Sequence, residues 1–470
     1  MHNVIEKMLP MFFLFWAGCS SFDGVAIREN HARDYQGQLT DKTDELLSKK
    51  EPLGLTDCIE FALANNLNMK SAKIQQRIAS FERKVAFSTF LPVVNLDYQY
   101  TRWDRQPKIK FGSSAAAMHD ERIRQISWQI QMSIFDPSTW FLYSMHQRGE
   151  EIARLVTDHT RQMTILEVTI NYYHCLSLEQ AQSALESGVK AAVELEKRIH
   201  AFYDEGIVTQ WQLEQAQVHL LARRRELGRF QYALRQAKGD LLSSMGLSPL
   251  AEILLKTEEP LEEPADSLEG LVAETLILNP QLHIADRRIA IEKEKVKVAL
   301  AGFLPRLVGF ANRTHSSDSY LLYDNFWTYG LAGAMTLFNG FANINEYKAA
   351  KQRKQEAFVK REQQTLVLIL EVVKAYLNLE DAKEESFLAQ RNYEVSLTHL
   401  EEIEQNWTEG LVDSSALLAV IAEKDAAHME AMNSRFQLQV SMATLYNVIG
   451  ITGKNYGTNH DEEDIAKSDG

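Results

Sequence analysis

The pattern Leu55, Leu63, Asn66, Ala72, Ile78, Val85 and Phe90-Leu91-Pro92 recurs 213 positions later as Leu268, Leu276, Asn279, Ala285, Ile291, Val298 and Phe303-Leu304-Pro305, with no gap. A doubled chain must fold into two equivalent units, so an element read in one copy is expected in the other. At each Phe-Leu-Pro the spacing of apolar residues changes. Helical spacing runs into Pro92, and strict alternation follows, with Val94, Leu96, Tyr98 and Tyr100 against Asn95, Asp97, Gln99 and Thr101. Proline disfavours helix in the residue before it, so Pro92 and Pro305 mark helix-to-strand junctions.

Two strands follow each junction. In the first copy they span about residues 93–103 and 125–135. Ile126, Trp128, Ile130, Met132 and Ile134 share one face of the second strand, and Gln125, Ser127, Gln129, Gln131 and Ser133 share the other. Residues Asp104 to Glu121 between them read as a polar loop. In the second copy the strands span about 306–314 and 326–338, with Trp327, Tyr329, Leu331, Met335 and Leu337 on one face.

Everything else reads as long helix. Residues 341–409 hold neither proline nor glycine, and no proline lies between Pro137 and Pro249 or after Pro305. An interior proline costs a helix about 3 kcal/mol, so such runs suit helices of unusual length. In the first copy one helix is expected from Leu55, with Thr56 as its N-cap, to about Thr89. A second runs from about Ser138 to Tyr203, and a third from Thr209 to Met245. Past the strands the offset between copies falls to about 204: Glu167-Val168 and Tyr172 match Glu371-Val372 and Tyr376, Glu205-Gly206 matches Glu409-Gly410, and Met245-Gly246-Leu247 matches Ile449-Gly450-Ile451. The missing residues fall in the strand-to-strand loop. Each copy therefore reads helix, strand, strand, helix, turn, helix, the first over residues 52–247 and the second over 267–452.

The flanking segments differ in character. Residues 1–18 read as a signal peptide, with Lys7, an apolar run from Met8 to Ala17, and then Ala17-Gly18-Cys19-Ser20. Small residues directly before Cys19 resemble the acylation site of bacterial lipoproteins, although Trp16 stands where that motif prefers leucine. Lipidation at Cys19 is the expectation, with 19–51 an extended N-terminal tether. Residues 248–266, with three prolines and five glutamates, read as a linker, and 453–470 as a disordered acidic tail.

Composition excludes several classes of function. A net charge of −14 argues against a nucleic-acid partner, and Arg223-Arg224-Arg225 reads as one solvated helical turn. Cys19, Cys58 and Cys175 form no CxxC pair, and His174-Cys175 reads as core and flank rather than as ligands. No HExxH, GxSxG, Walker loop or GxGxxG is present, so no catalytic residue, metal ligand or cofactor site is assigned and the chain is not expected to be an enzyme.

Strands of about eleven residues match the length needed to cross an outer membrane at a tilt. Four strands cannot close a barrel, and an open sheet edge in lipid leaves backbone groups unsatisfied. Three copies of the chain would supply twelve strands and a ring of helices beneath them. The order of these features, doubled, resembles the TolC family of outer-membrane efflux and secretion channels. The carriers are the two Phe-Leu-Pro junctions, the Glu-Val-x-x-x-Tyr segments from Glu167 and Glu371, and the turns Glu205 to Val208 and Glu409 to Val412.

The resemblance implies a mainly α fold with a β-barrel part. The assembly would be a homotrimer whose twelve-stranded transmembrane barrel continues as a long periplasmic α-helical tunnel, in the outer membrane of a Gram-negative bacterium. The likeness is to lipoprotein members of the OprM-like kind. It implies a periplasmic membrane-fusion adaptor and an inner-membrane pump as partners, with outer-membrane lipid around the barrel. Gly206 and Gly410 would be the tips that meet the adaptor. The implied function is the exit duct of a tripartite efflux system; a type I protein-secretion duct is the nearest alternative, and a periplasmic coiled-coil scaffold lipoprotein the alternative of another class. Relatives ring the closed entrance with aspartates six and nine residues past the second glycine, where this chain has Ala416 and Ala419. The first-copy counterparts are Gln212 and Gln215, beside Trp211. Either Leu417, Leu418 and nearby bulk form an apolar entrance, or a different register supplies polar groups.

Overall fold

The computed structural model describes residues 24–48, 52–257, 261 and 267–451. The signal segment 1–18, Cys19, the tail 453–470, and parts of the tether and of the 248–266 linker lie outside the described residues.

The tether is not extended where it is described. Gly24–Leu47 forms helix α1, docked at its last turns, where Thr43 and Leu47 are buried and Thr43 Oγ1 accepts from the Ser248 N–H at 2.9 Å. The helix expected from Leu55 to Thr89 is two helices, α2 (Leu55–Asn65) and α3 (Leu67–Ser88). Its cap also differs from Thr56: α2 begins after Gly54, whose N–H donates to Asp57 Oδ2 at 3.1 Å. Asn66 makes the break. Its backbone is extended, its Oδ1 accepts from the N–H groups of Asn68 and Met69, and its Nδ2 donates to Ser244 O at 2.8 Å. A side chain that caps the next helix competes with continuation of the last one.

After Pro92 come β1 (Val93–Arg102), a small hairpin of β2 (Lys108–Phe111) and β3 (Ser114–Ala117), and β4 (Arg122–Phe135). The segment expected as plain loop thus carries two strands of its own. Helix α4 (Pro137–Asp204) is 68 residues long, about 100 Å, and turns back into α5 (Gln210–Ser244). Its start explains Asp136-Pro137: Asp136 caps the helix through the Ser138 N–H at 3.0 Å, and proline fits the first helical position, where no N–H is needed. The second copy follows as α6 (Leu268–Leu278), α7 (Pro280–Ala301), β5 (Arg306–Ser316), β6 (Asn325–Ala334), α8 (Ala342–Thr408) and α9 (Ser414–Ile449). Strand β6 ends before Met335 and Leu337, which were expected on its face. Asn279 breaks α6 from α7 as Asn66 does in the first copy, capping through the Gln281 N–H and donating to Val448 O at 3.0 Å.

The four long strands form one antiparallel sheet in the order β1-β4-β5-β6. In register, Leu96 faces Trp128, Trp128 faces Arg313, and Arg313 faces Trp327. One face therefore carries the apolar rows of β1, β4 and β6, and it is open: Tyr98 is 63% exposed and Tyr329 80%. The opposite face carries Asn95, Asp97, Gln129 and Gln131. Below the sheet α7 packs between α4 and α8, and α3 lies on α4. Ion pairs stitch these helices together, Arg83 to Glu150 at 2.8 Å, Arg287 to Glu151 at 3.2 Å and Arg361 to Asp286 at 3.0 Å.

The main core sits midway along the helices. Leu53, Leu55, Ile59, Ile165, Val168, Tyr172, Leu241, Leu242 and Met245 are all buried there. The start of the linker joins it: Leu53 pairs with the Leu254–Lys256 strand through two backbone bonds of 2.8 Å, and the Tyr172 hydroxyl donates to Lys256 O at 2.5 Å. The second copy has a smaller counterpart around Leu271, Val372, Leu379, Leu445 and Ile449.

Candidate channel entrance at the helix tips

The two hairpins end in matching turns. Gly206 closes the first at φ 75°, with its N–H donating to Tyr203 O and that of Ile207 to Phe202 O; Gly410 closes the second at φ 75°, with Leu411 N–H donating to Asn406 O at 2.8 Å. A left-handed residue after a helix is the usual place for glycine, since a Cβ there is strained. The next helix is capped at once. Thr209 and Gln212 cap α5 reciprocally, with Thr209 N–H donating to Gln212 Oε1 at 2.8 Å, and Asp413 Oδ1 caps α9 through the Ala416 N–H at 2.9 Å. Ile207, Trp211 and Leu411 stand exposed around these turns.

Behind the tips a small core of Ile199, Leu213 and Ala216 packs with Leu195, Val208 and Trp407. The Arg198 guanidinium lies 5.1 Å over the Trp407 ring, which meets Phe202 edge-on. Between the hairpins lies a cavity of about 660 Å³, lined by Ala192, Arg198, His219, Trp407, Leu417 and Asp425 among others. One lining residue, Asp425 on α9, belongs to an ion pair across the two copies: Arg223, on α5, reaches it at 2.5 Å and Glu226 at 2.8 Å. Arg223 is therefore not part of a solvated turn. Its side chain is 11% exposed, while Arg224 and Arg225 are open. Burial lowers the pKa of His219, Arg223 lowers it further, and Asp425 opposes them.

The residues singled out around the entrance fall into three groups. Trp211 and Ala419 are exposed and Ala416 is half-buried. Gln212 is spent on the cap, and Gln215 is half-buried with its Oε1 enclosed and without a partner in the single chain. Leu417 and Leu418 are 2% and 9% exposed, so they pack the hairpins together. Sequence reasoning missed the Arg223–Asp425 link, because its members lie 202 positions apart and have no counterparts under the 204-residue offset. At the far end, Pro92 and Pro305 follow one tight turn after α3 and α7, as expected of the junctions, and Phe87, Phe90, Phe135, Trp140 and Tyr143 cluster around the first. Cys175 is buried, which pushes its thiol up to about 12, and His174 stacks on Phe436. Among the described residues no helix is long and apolar enough to cross a membrane, and no cluster of metal-ligating side chains is found.

The outer membrane efflux protein family matches residues 58–247 and 271–451, one segment in each copy. The chain belongs to this family. Family members are channel proteins of the outer membrane rather than enzymes. No curated protein matches in sequence. Solved structures share the fold at low identity. CusC superposes with a TM-score of 0.73 at 15% identity, over 84% of this chain and 92% of its own. The CmeC outer membrane channel of Campylobacter jejuni gives 0.74 at 16%, over 85% and 88%. VceC of Vibrio cholerae gives 0.71 at 16%, over 84% and 96%. The mainly helical body with its short sheet is thus that of the outer-membrane efflux channels.

Proposed function

We propose that three copies of this chain close into a twelve-stranded barrel and a continuous helical tunnel, which carries small molecules from an inner-membrane pump and periplasmic adaptor across the periplasm and outer membrane. One observation carries the reading: a four-stranded sheet with an open apolar face, whose edge strands β1 and β6 have no partner among the described residues. In lipid those edges must be paired, and β6 of one copy against β1 of the next satisfies both. A heat-resistant trimer on a denaturing gel of the outer-membrane fraction is the expected result; a soluble monomer would sink the proposal.

The adaptor would meet the tips at Gly206 and Gly410, where Ile207 and Leu411 offer apolar contact. The entrance would be ringed by the exposed or half-exposed set Trp211, Gln215, Ala416 and Ala419, with Leu417 and Leu418 holding the helices behind it. Ala419→Asp should then raise the cation preference of the channel in planar bilayers, and unchanged selectivity would remove Ala419 from the lumen. The adaptor and pump that co-purify distinguish efflux of small molecules from protein secretion, since one duct can serve both. Cys19 remains the proposed acylation site; mass spectrometry of the mature N-terminus tests it.

A further inference from the structure

We propose that the outward rim of the β1–β4 pair, at the end of the sheet far from the helices, binds the phosphate groups of an outer-leaflet lipid through Arg102, Arg122 and Arg124. The inference rests on the membrane-spanning reading of the sheet. Arg102 is the register partner of Arg122, and Tyr100 that of Arg124. Residues directly opposite share a face, and faces alternate with a period of two. All three arginines therefore lie on the face of Leu96, Tyr98, Ile126 and Trp128, and all three are exposed. Like charges directly opposite one another destabilise a strand pair unless an anion stands between them.

Among the described residues no acidic group forms a close pair with these arginines. Glu121 lies 3.9 Å from the Arg102 guanidinium, with both groups more than half exposed. The Asp120 carboxylate accepts from the N–H and hydroxyl of Ser319, at 2.6 and 3.0 Å. Asp318, nearly enclosed, is held by His119 at 2.6 Å and by the Asp120 N–H at 3.0 Å. Asp120 and Asp318 are thus spent on tying one loop to the other. Further down the face, Arg313 is already hydrogen-bonded to Asn325 and lies 5.7 Å over Trp327.

Charge and position choose the occupant. From Tyr100 to Arg124 six basic residues (Arg102, Arg105, Lys108, Lys110, Arg122, Arg124) face three acidic ones (Asp104, Asp120, Glu121), in a chain whose net charge is −14. Guanidinium forks match phosphate oxygens in pairs. These forks stand directly beyond an apolar and aromatic band, the level at which headgroups meet a barrel. Each of the four long strands joins a helix at its other end, so this rim faces the outer leaflet. A free anion would have no use for the band.

The test uses the full-length protein in phosphatidylcholine nanodiscs, titrated with fluorescent bisphosphorylated lipid A, with its dephosphorylated form, and with inorganic phosphate as competitor. Arg102→Gln/Arg122→Gln/Arg124→Gln should weaken binding of the phosphorylated lipid roughly a hundredfold while leaving the dephosphorylated lipid unaffected. The single variant Arg124→Gln, which leaves the edge strand untouched, should lose several-fold and stands in if the triple variant fails to assemble. Equal affinity in wild type and variants overturns the inference, as does competition by inorganic phosphate at the lipid's own concentration. If no heat-resistant trimer forms from the wild-type chain, the membrane reading falls instead.

Discussion

The two copies of the repeat share their turns and differ in their cores. Gly206 and Gly410, Asn66 and Asn279, and the caps Thr209 and Asp413 perform the same tasks in both. The first copy adds a strand contact at Leu53, a hydroxyl bond from Tyr172 and a larger buried cluster; its counterpart Tyr376 is only half-buried. Backbone geometry was duplicated and kept, since a turn has few solutions. Side-chain packing diverged, since a core has many.

The sharpest way to break this comparison is at Gly246 and Gly450, which end α5 and α9 with positive φ and pack against the asparagine breaks. A Cβ on Gly246 would fall 2.5 Å from Asn65 O, whereas on Gly450 the nearest atoms lie at 3.4 Å. Gly246→Ala should cost about 3 kcal/mol and Gly450→Ala about 1 kcal/mol, in denaturant melts of the purified protein. Equal costs would mean that the two ends are packed alike. Next is the ion pair between copies near the tips: Arg223→Ala should cost about 2 kcal/mol, because it leaves partly buried Asp425 with Lys424 alone, and Asp425→Asn in the same chain should recover part of that loss. Tyr172→Phe removes a buried hydroxyl bond and should cost about 1 kcal/mol, against nearly nothing for Tyr376→Phe.

The smallest effect is with pH. The folded pKa of His219 lies below its unfolded value near 6.5, so the folded tip binds fewer protons than the unfolded chain. Its contribution to stability is complete above that value and declines as pH falls below it. Hydrogen exchange at the tips should therefore quicken on acidification, and His219→Gln should blunt the change.

The larger architecture was legible in sequence because each element carries its own local signal. The change of period at Pro92 and Pro305, the proline-free runs and the Glu-Gly turns are all short-range. What escaped was of two kinds. Some signals were local but overruled: Asn66 looks helical in Ala-Asn-Asn-Leu, although Pro280, just after Asn279, already disfavours helix at the equivalent point. Others have no local signal at all. Arg223 meets Asp425 and Asn66 meets Ser244 only because two hairpins and two helix ends are brought together by the fold. Leu417 and Leu418 belong here too, since which flank of α9 turns inward depends on its neighbours.

The buried Tyr172 hydroxyl grips the waist of a rod whose lower arm, from Tyr172 to Asp204, is 33 residues or about 48 Å long. Held there, α4 is a lever with a short, tightly clamped fulcrum and a long free end. A tilt of about 5° at the waist sweeps the tip through roughly 4 Å, on the order of a side chain's reach. Mechanical advantage of that size lets a push of a few degrees far from the tip decide how wide the tip stands.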